Sequence, residues 1–204
     1  MRVLNLYSGL GGNRALWPAS AEVTAVESDC NIANVYGKRF PNDIRFDGAD
    51  ALKFLEGEYS NYDFIWSSPP RQSHGQLQHN VGVKAQGKKP IMPDMSLYAQ
   101  IVFLRTYFKG LWVVENTIPY YEPLIAPTQR IGRHLLWSNF TIPSLKLPSS
   151  PQIRGYNKIS DFDGADLVLG TKIANKRQVL RNCVDPRIGA HVYDAMMEAF
   201  NAAL

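Results

Sequence analysis

The stretch SSPPRQSHG, residues 67–75, sets two prolines after a strand-like run, YDFIW, and a polar, basic loop after the prolines. Arg71 stands directly behind Pro70. A guanidinium stays protonated in proteins and offers no lone pair, so Arg71 can hold an acceptor or an anion but cannot act as nucleophile or base. Other polar groups fall at the ends of apolar runs. LNLYSGLGG puts Gly9, Gly11 and Gly12 just after one such run, where a missing side chain lets the backbone approach a nucleotide-like ligand. AVESD ends a second run on Glu27, an acid that can accept hydrogen bonds from a ribose. Asp50, in GAD, ends a third unit and can accept from an adenine amino group.

NAD and S-adenosylmethionine compete for such a constellation. In GLGGNRA, Arg14 and Ala15 stand where GxGxxG would have its last glycine, and aromatic Tyr7 precedes the turn. Both features favour S-adenosylmethionine. The two thiols, Cys30 and Cys183, are too few and too far apart for a zinc site, so no metal is expected and both read as buried structural thiols.

The elements that must position these groups alternate in type. RVLNLYS, EVTAVESD, DIRFDGAD, YDFIWSS and GLWVVENT read as short strands. NIANVYGKRF, ALKFLEGEY and MSLYAQIVFLRTYF carry apolar residues near the helical period, and NRALWPASA reads as a helix stopping at Pro18. GRHLLWSNF reads as a further strand and PRIGAHVYDAMMEAFNAAL as a closing amphipathic helix. Strands alternating with helices at this pitch predict an α/β fold, a mostly parallel sheet with helices on both faces. Residues 71–94 break the rhythm as a long polar loop, and residues 141–176 show little periodicity.

With 204 residues, 45% hydrophobic and 20% charged, the chain fits a single domain spanning 1–204 with a sizeable core. No run of 18 apolar residues suggests a membrane span. The start, MRVLNLYSGLGG, runs straight into a strand without an apolar signal, so a cytoplasmic protein is expected. A net charge of +4 and a pI near 9.0 are compatible with a polyanionic partner.

Taken in order, the motifs resemble those of the DNA cytosine-5 methyltransferase family, of a compact kind carried by bacteria or phages. LNLYSGLGG resembles its first motif, AVESD its second with Glu27 as the ribose acid, and GAD its adenine-contacting motif with Asp50. SSPPRQSHG resembles the Pro-Pro-Cys-Gln loop, with Arg71 where the cysteine belongs. VVENT resembles the Glu-Asn-Val motif through Glu115 and Asn116, with Thr117 for valine. TQRIGRHLLW resembles Gln-x-Arg-x-Arg through Gln129 and Arg133, with Ile131 for the middle arginine. RQVLRNCVDPRIGAHV resembles the last motif through Asn182 and Val184.

The resemblance implies a Rossmann-like methyltransferase fold that binds S-adenosylmethionine and releases S-adenosylhomocysteine, of the restriction-modification kind. The cofactor set it implies is Tyr7, Ser8, Gly9, Gly11, Gly12, Glu27, Asp50, Pro69, Asn182 and Val184. It also implies a mechanism. A cytosine is flipped out of double-stranded DNA. A thiolate attacks C6, Glu115 protonates or hydrogen-bonds N3, Arg133 holds O2, and C5 takes the methyl group. Asn116 belongs to the same catalytic set. Without a thiol at position 71 the chain should be inactive or impaired in that step. Two alternatives stay open: a silent DNA- or partner-binding relative, and an amino-methyltransferase using Ser68-Pro69-Pro70 without covalent attack.

The basic loop is expected to face DNA. Arg71, Gln72, Ser73, His74, His79, Lys84, Lys88 and Lys89, with Gln129, form that set, and phosphate contacts there would position rather than specify. Larger relatives carry a target-recognition domain between the arginine motif and the last motif. Here only the short segment 141–176 lies there, so it reads a very short site, or a partner subunit supplies the reading.

Overall fold

The computed structural model describes residues 1–76, 78–147 and 164–202. Seven strands form one sheet: β1 (Arg2–Leu6), β2 (Glu22–Glu27), β3 (Ile44–Asp47), β4 (Phe64–Ser67), β5 (Leu111–Thr117), β6 (Gln129–Ile131) and β7 (His134–Ser138). Their order is β3-β2-β1-β4-β5-β7-β6. The first five are mutually parallel; β7 runs antiparallel to β5 and β6 antiparallel to β7. This is the α/β, Rossmann-like fold expected from the sequence.

Period-two alternation sends Leu4, Leu6, Ile65, Trp112 and Val114 to one face and Val3, Phe64, Trp66 and Val113 to the other. The first face is covered by α2 (Ala51–Glu58) and α3 (Ser96–Tyr107), through Leu55, Ile101 and Leu104. The second is covered by α6 (Pro186–Ala202), through Ile188, Val192 and Met196. A third cluster joins α1 (Cys30–Arg39) to the short helices α4 (Ala165–Val168) and α5 (Lys176–Asn182) around Leu10, Val35, Val168, Ile173 and Leu180. Among the described residues no helix is long and apolar enough to cross a membrane.

Three local expectations are corrected. NRALWPASA is a series of turns. Pro18 limits any helix there to a costly nucleus, and the Arg14 guanidinium donates to Trp17 O and pairs with Asp43 at 3.1 Å. Residues 71–94 are not all loop, since Gln78–Ala85 forms a π-helical turn. The low-periodicity segment 141–176 contains α4 and begins α5, while its residues 148–163 lie outside the described ones.

The chain runs outward from β1 to β3, then returns to β4 beside β1. The strand order therefore reverses between β1 and β4, and the carboxyl ends flanking such a reversal open a ligand crevice. The glycine turn leaves β1 there and the Pro-Pro loop leaves β4.

Candidate functional site

A cavity of about 370 Å³ opens at this reversal. Its lining brings together Tyr7, Ser8, Gly9, Gly12, Glu27, Pro69, Arg71, Gln72, Asn182 and Val184 from the sequence-predicted set. Asp50 stands apart. It is exposed and caps α2, its Oδ1 accepting from Leu52 N–H at 2.9 Å and Lys53 N–H at 3.2 Å.

The glycines divide their work. Gly9, with φ of 55°, meets nothing closer than Tyr7 O at 3.9 Å on its side-chain side and donates its N–H to Glu27 Oε2 at 3.0 Å. Gly11 is packing: a Cβ there would collide with Phe40 and Tyr36. At Gly12 a Cβ would collide with Val184 O and Cys183 Sγ, so this glycine lets the first and last motifs touch. Tyr7, at φ 55°, is the one described non-glycine residue in the left-handed region, uncommon for an aromatic. Its hydroxyl accepts from Gln100 Nε2 at 3.3 Å, and burial pushes the phenol up to about 12. Gln100 Oε1 in turn accepts from Ser67 Oγ at 2.6 Å, tying the ends of β1 and β4 to α3. Glu27 Oε1 accepts from Asp29 N–H at 3.0 Å. Each carboxylate oxygen of Glu27 thus has a backbone donor that orients it, with acceptor capacity left for ligand hydroxyls.

Behind the Pro-Pro loop lies a buried polar triad. Glu115, on β5 and 0% exposed, accepts from Arg71 Nη2 at 2.8 Å through Oε2 and lies 2.6 Å from His134 Nδ1 through Oε1. Burial pushes this carboxyl up, but Arg71 and His134 outweigh it and hold it at about 2. Glu115 is therefore ionised at neutral pH. Asn116 donates Nδ2–H to Pro69 O at 3.0 Å, so it fastens the Pro-Pro loop to β5. Arg133 is half-buried and donates to Arg181 O at 2.8 Å, which ties the β6–β7 turn to α5. Burial, then Arg71, lowers its pKa, with Glu115 opposing.

His134 was missed by sequence reasoning, which took Arg133 as the working residue of that motif. No local signal marked it, because the pairing is between strands: on the β5–β7 ladder Thr117 pairs with His134 and Glu115 with Leu136, so His134 lies two residues from Glu115 on neighbouring strands.

No family model matches the chain, and no curated protein matches it. Solved structures do resemble it in part. The Entamoeba histolytica methyltransferase EhMeth is 17% identical, with a TM-score of 0.36 over 57% of this chain and 38% of that one. The S. pombe Dnmt2 methyltransferase is 17% identical, with a TM-score of 0.36 over 57% and 34%. NSun6 from Pyrococcus horikoshii, solved with SFG, an S-adenosylmethionine analogue, is 16% identical, with a TM-score of 0.40 over 58% and 33%. The chain thus spans less than half the length of each. Likenesses this distant carry no functional argument.

The remaining sequence-predicted residues separate into exposed and committed ones. Lys84, Lys88 and Lys89 are exposed. His74, expected to face phosphates, is instead 1% exposed with Nδ1 2.5 Å from Tyr121 Oη. Burial lowers its pKa, which favours a neutral ring. Ser73 Oγ accepts from Asp94 N–H at 3.0 Å, and Gln129 donates to Ile142 O at 2.8 Å, so both brace neighbouring segments. His79 stacks on Tyr120 with ring centroids 4.4 Å apart. Cys30 is exposed rather than buried, because it opens α1 just after the Asp29 cap. Cys183 is half-buried, and burial pushes its thiol up against the fields of Arg39 and Arg71.

Proposed function

We propose that this chain is an S-adenosylmethionine-binding protein of the DNA cytosine-5 methyltransferase kind, with methyl transfer to C5 blocked or badly impaired by Arg71. The observation that carries this reading is the buried Glu115, clamped between Arg71 and His134 beside a glycine-lined cavity.

The cavity suits an adenosyl ligand. Gly9 leaves its backbone open toward it and Glu27 keeps oriented acceptors for ribose hydroxyls. When bound, S-adenosylmethionine supplies an electrophilic methyl group. The chain's own residues set the rest. Asn116 holds the Pro-Pro loop in register with β5. His134 fixes one oxygen of Glu115, which leaves the other to meet N3 of a flipped cytosine. In this chain that second oxygen is taken by Arg71. The guanidinium thus imposes two defects. It supplies no nucleophile for C6, and it holds as a salt bridge the carboxylate that should serve the base. A carboxyl kept at about 2 has no proton to give at neutral pH.

The site that follows from this is silent in transfer while able to bind cofactor and DNA, with Lys84, Lys88 and Lys89 exposed to duplex phosphates. Tritium transfer from labelled S-adenosylmethionine to mixed-sequence DNA tests it, run on this chain and on Arg71→Cys, with the product base identified by mass spectrometry. The reading requires 5-methylcytosine from the variant and little or none from the present chain. Methylation at an amino nitrogen would replace it with the amino-methyltransferase alternative.

A further inference from the structure

Arg71 lines the cavity, and its partner Glu115 does not. Among the described residues of the lining, Arg71 is the one cation; the acids Glu27 and Asp29 belong to the β2–α1 side. The Arg71 side chain is 9% exposed. Nη2 is used on Glu115, while Nη1 is buried without a partner. The ion pair is therefore lopsided as seen from the cavity, with its positive member on the wall and its negative member behind. The fields of Arg39 and, after it, Arg71 reach Cys183, whose sulfur packs against Gly12 in the glycine turn. Charges held in such a crevice are poorly screened by water or salt.

The two forms of an S-adenosyl nucleoside differ by one methyl group and one positive charge on sulfur. We propose that Arg71 makes this cavity select a neutral thioether nucleoside, of the S-adenosylhomocysteine type, over the sulfonium form. This rests on the reading that the cavity binds adenosyl nucleosides. The sulfonium must share the cavity with a fixed guanidinium that Glu115 offsets from behind, while the lining acids Glu27 and Asp29 lie on the β2–α1 side. The thioether carries no such penalty. The chain is thereby a holder of the demethylated nucleoside rather than a presenter of a methyl group.

Calorimetric titration with each nucleoside, at low and high salt, tests this through the ratio of the two dissociation constants. The present chain should favour S-adenosylhomocysteine by about tenfold, as expected for a partly neutralised charge several ångströms away. Glu115→Gln leaves the guanidinium uncompensated and should raise the ratio. Arg71→Met combined with Glu115→Gln removes both charges without stranding either, and should bring the ratio to about threefold or less. The last two proteins differ only in the guanidinium, so their comparison isolates it even if Arg71→Met alone fails to fold. Persistence of the ratio at high salt is expected for a buried charge. Equal affinity for the two nucleosides in the present chain, or the same ratio in the double variant, overturns the proposal while leaving the cavity assignment standing. Binding of neither nucleoside to the present chain overturns the assignment and the proposal together.

Discussion

Replacing Arg71 with methionine should destabilise the fold in a way that acid relieves. Glu115 is fully buried, and its pKa falls from an ordinary 4.5 to about 2. At about 1.4 kcal/mol per pH unit, that fall corresponds to about 3 kcal/mol of folding stability. The folded value lies below the unfolded one. This stability is therefore fully present above pH 4.5 and is lost as the pH falls through 2. In Arg71→Met the opposing balance changes: burial, the largest influence on Glu115, faces mainly His134, and the carboxyl moves upward. A carboxyl raised above its unfolded value penalises folding at neutral pH, and acid removes the penalty. Stripping one partner from a buried pair costs roughly 3–5 kcal/mol in comparable cases. Urea denaturation followed by tryptophan fluorescence, from neutral pH down to about 3, gives the difference between the two proteins. The difference should be at least about 3 kcal/mol near neutrality and shrink as the pH falls through the variant's raised carboxyl value, which lies above 4.5. A difference that stays constant with pH, or is under about 0.5 kcal/mol throughout, would refute the reasoning, because the Arg71–Glu115 pair would then carry no linked charge.

Three further outcomes are expected. Glu27→Ala should weaken adenosyl nucleoside binding by roughly 1.5–3 kcal/mol in calorimetry, since it removes charged acceptors and frees Gly9 and Asp29 N–H together; unchanged affinity would place the ribose elsewhere. Gly12→Ala should lower Tm and cofactor affinity at once, because its Cβ would push against Val184 O and Cys183 Sγ; a loss of affinity without a change in Tm would contradict that close approach. Replacing Lys84, Lys88 and Lys89 together should flatten the salt dependence of DNA binding, by about 0.9 in log–log slope for each phosphate no longer neutralised; an identical slope would make them a solvated surface.

Most of the scaffold was legible because it rests on local periodicity. Short contiguous apolar runs in RVLNL and GLWVVENT, and the helical spacing of NIANVYGKRF, gave β1, β5 and α1 near their observed bounds. The glycine turn and Glu27 were legible for a related reason, since strand-end chemistry in such sheets converges on one crevice. What stayed hidden depends on packing between segments distant in sequence. Nothing around His134 marks it as a partner of Glu115; that follows from antiparallel β7 lying beside β5. His74 reads as a loop residue, yet Tyr121, 47 residues further along the chain, bonds to its ring. Asp50 could be placed at a strand end, but not its commitment to capping α2. The meaning of Arg71 was half legible. Its inability to attack C6 follows from the guanidinium alone, whereas its grip on Glu115 required the fold.

The most direct measurement is covalent trapping. Arg71→Cys, incubated with S-adenosylmethionine and duplex DNA carrying 5-fluorocytosine, should form a stable protein–DNA adduct. Fluorine at C5 blocks the elimination that releases the enzyme, so attack at C6 leaves a permanent bond. The substitution supplies the thiol and at the same time releases Glu115 Oε2 for the base. Mass spectrometry should place the adduct on residue 71, with none in the present chain or in Arg71→Ser. A folded, cofactor-binding Arg71→Cys that forms no adduct would contradict the reading of position 71 as the nucleophile site of a cytosine-5 enzyme, as would an adduct formed by the present chain.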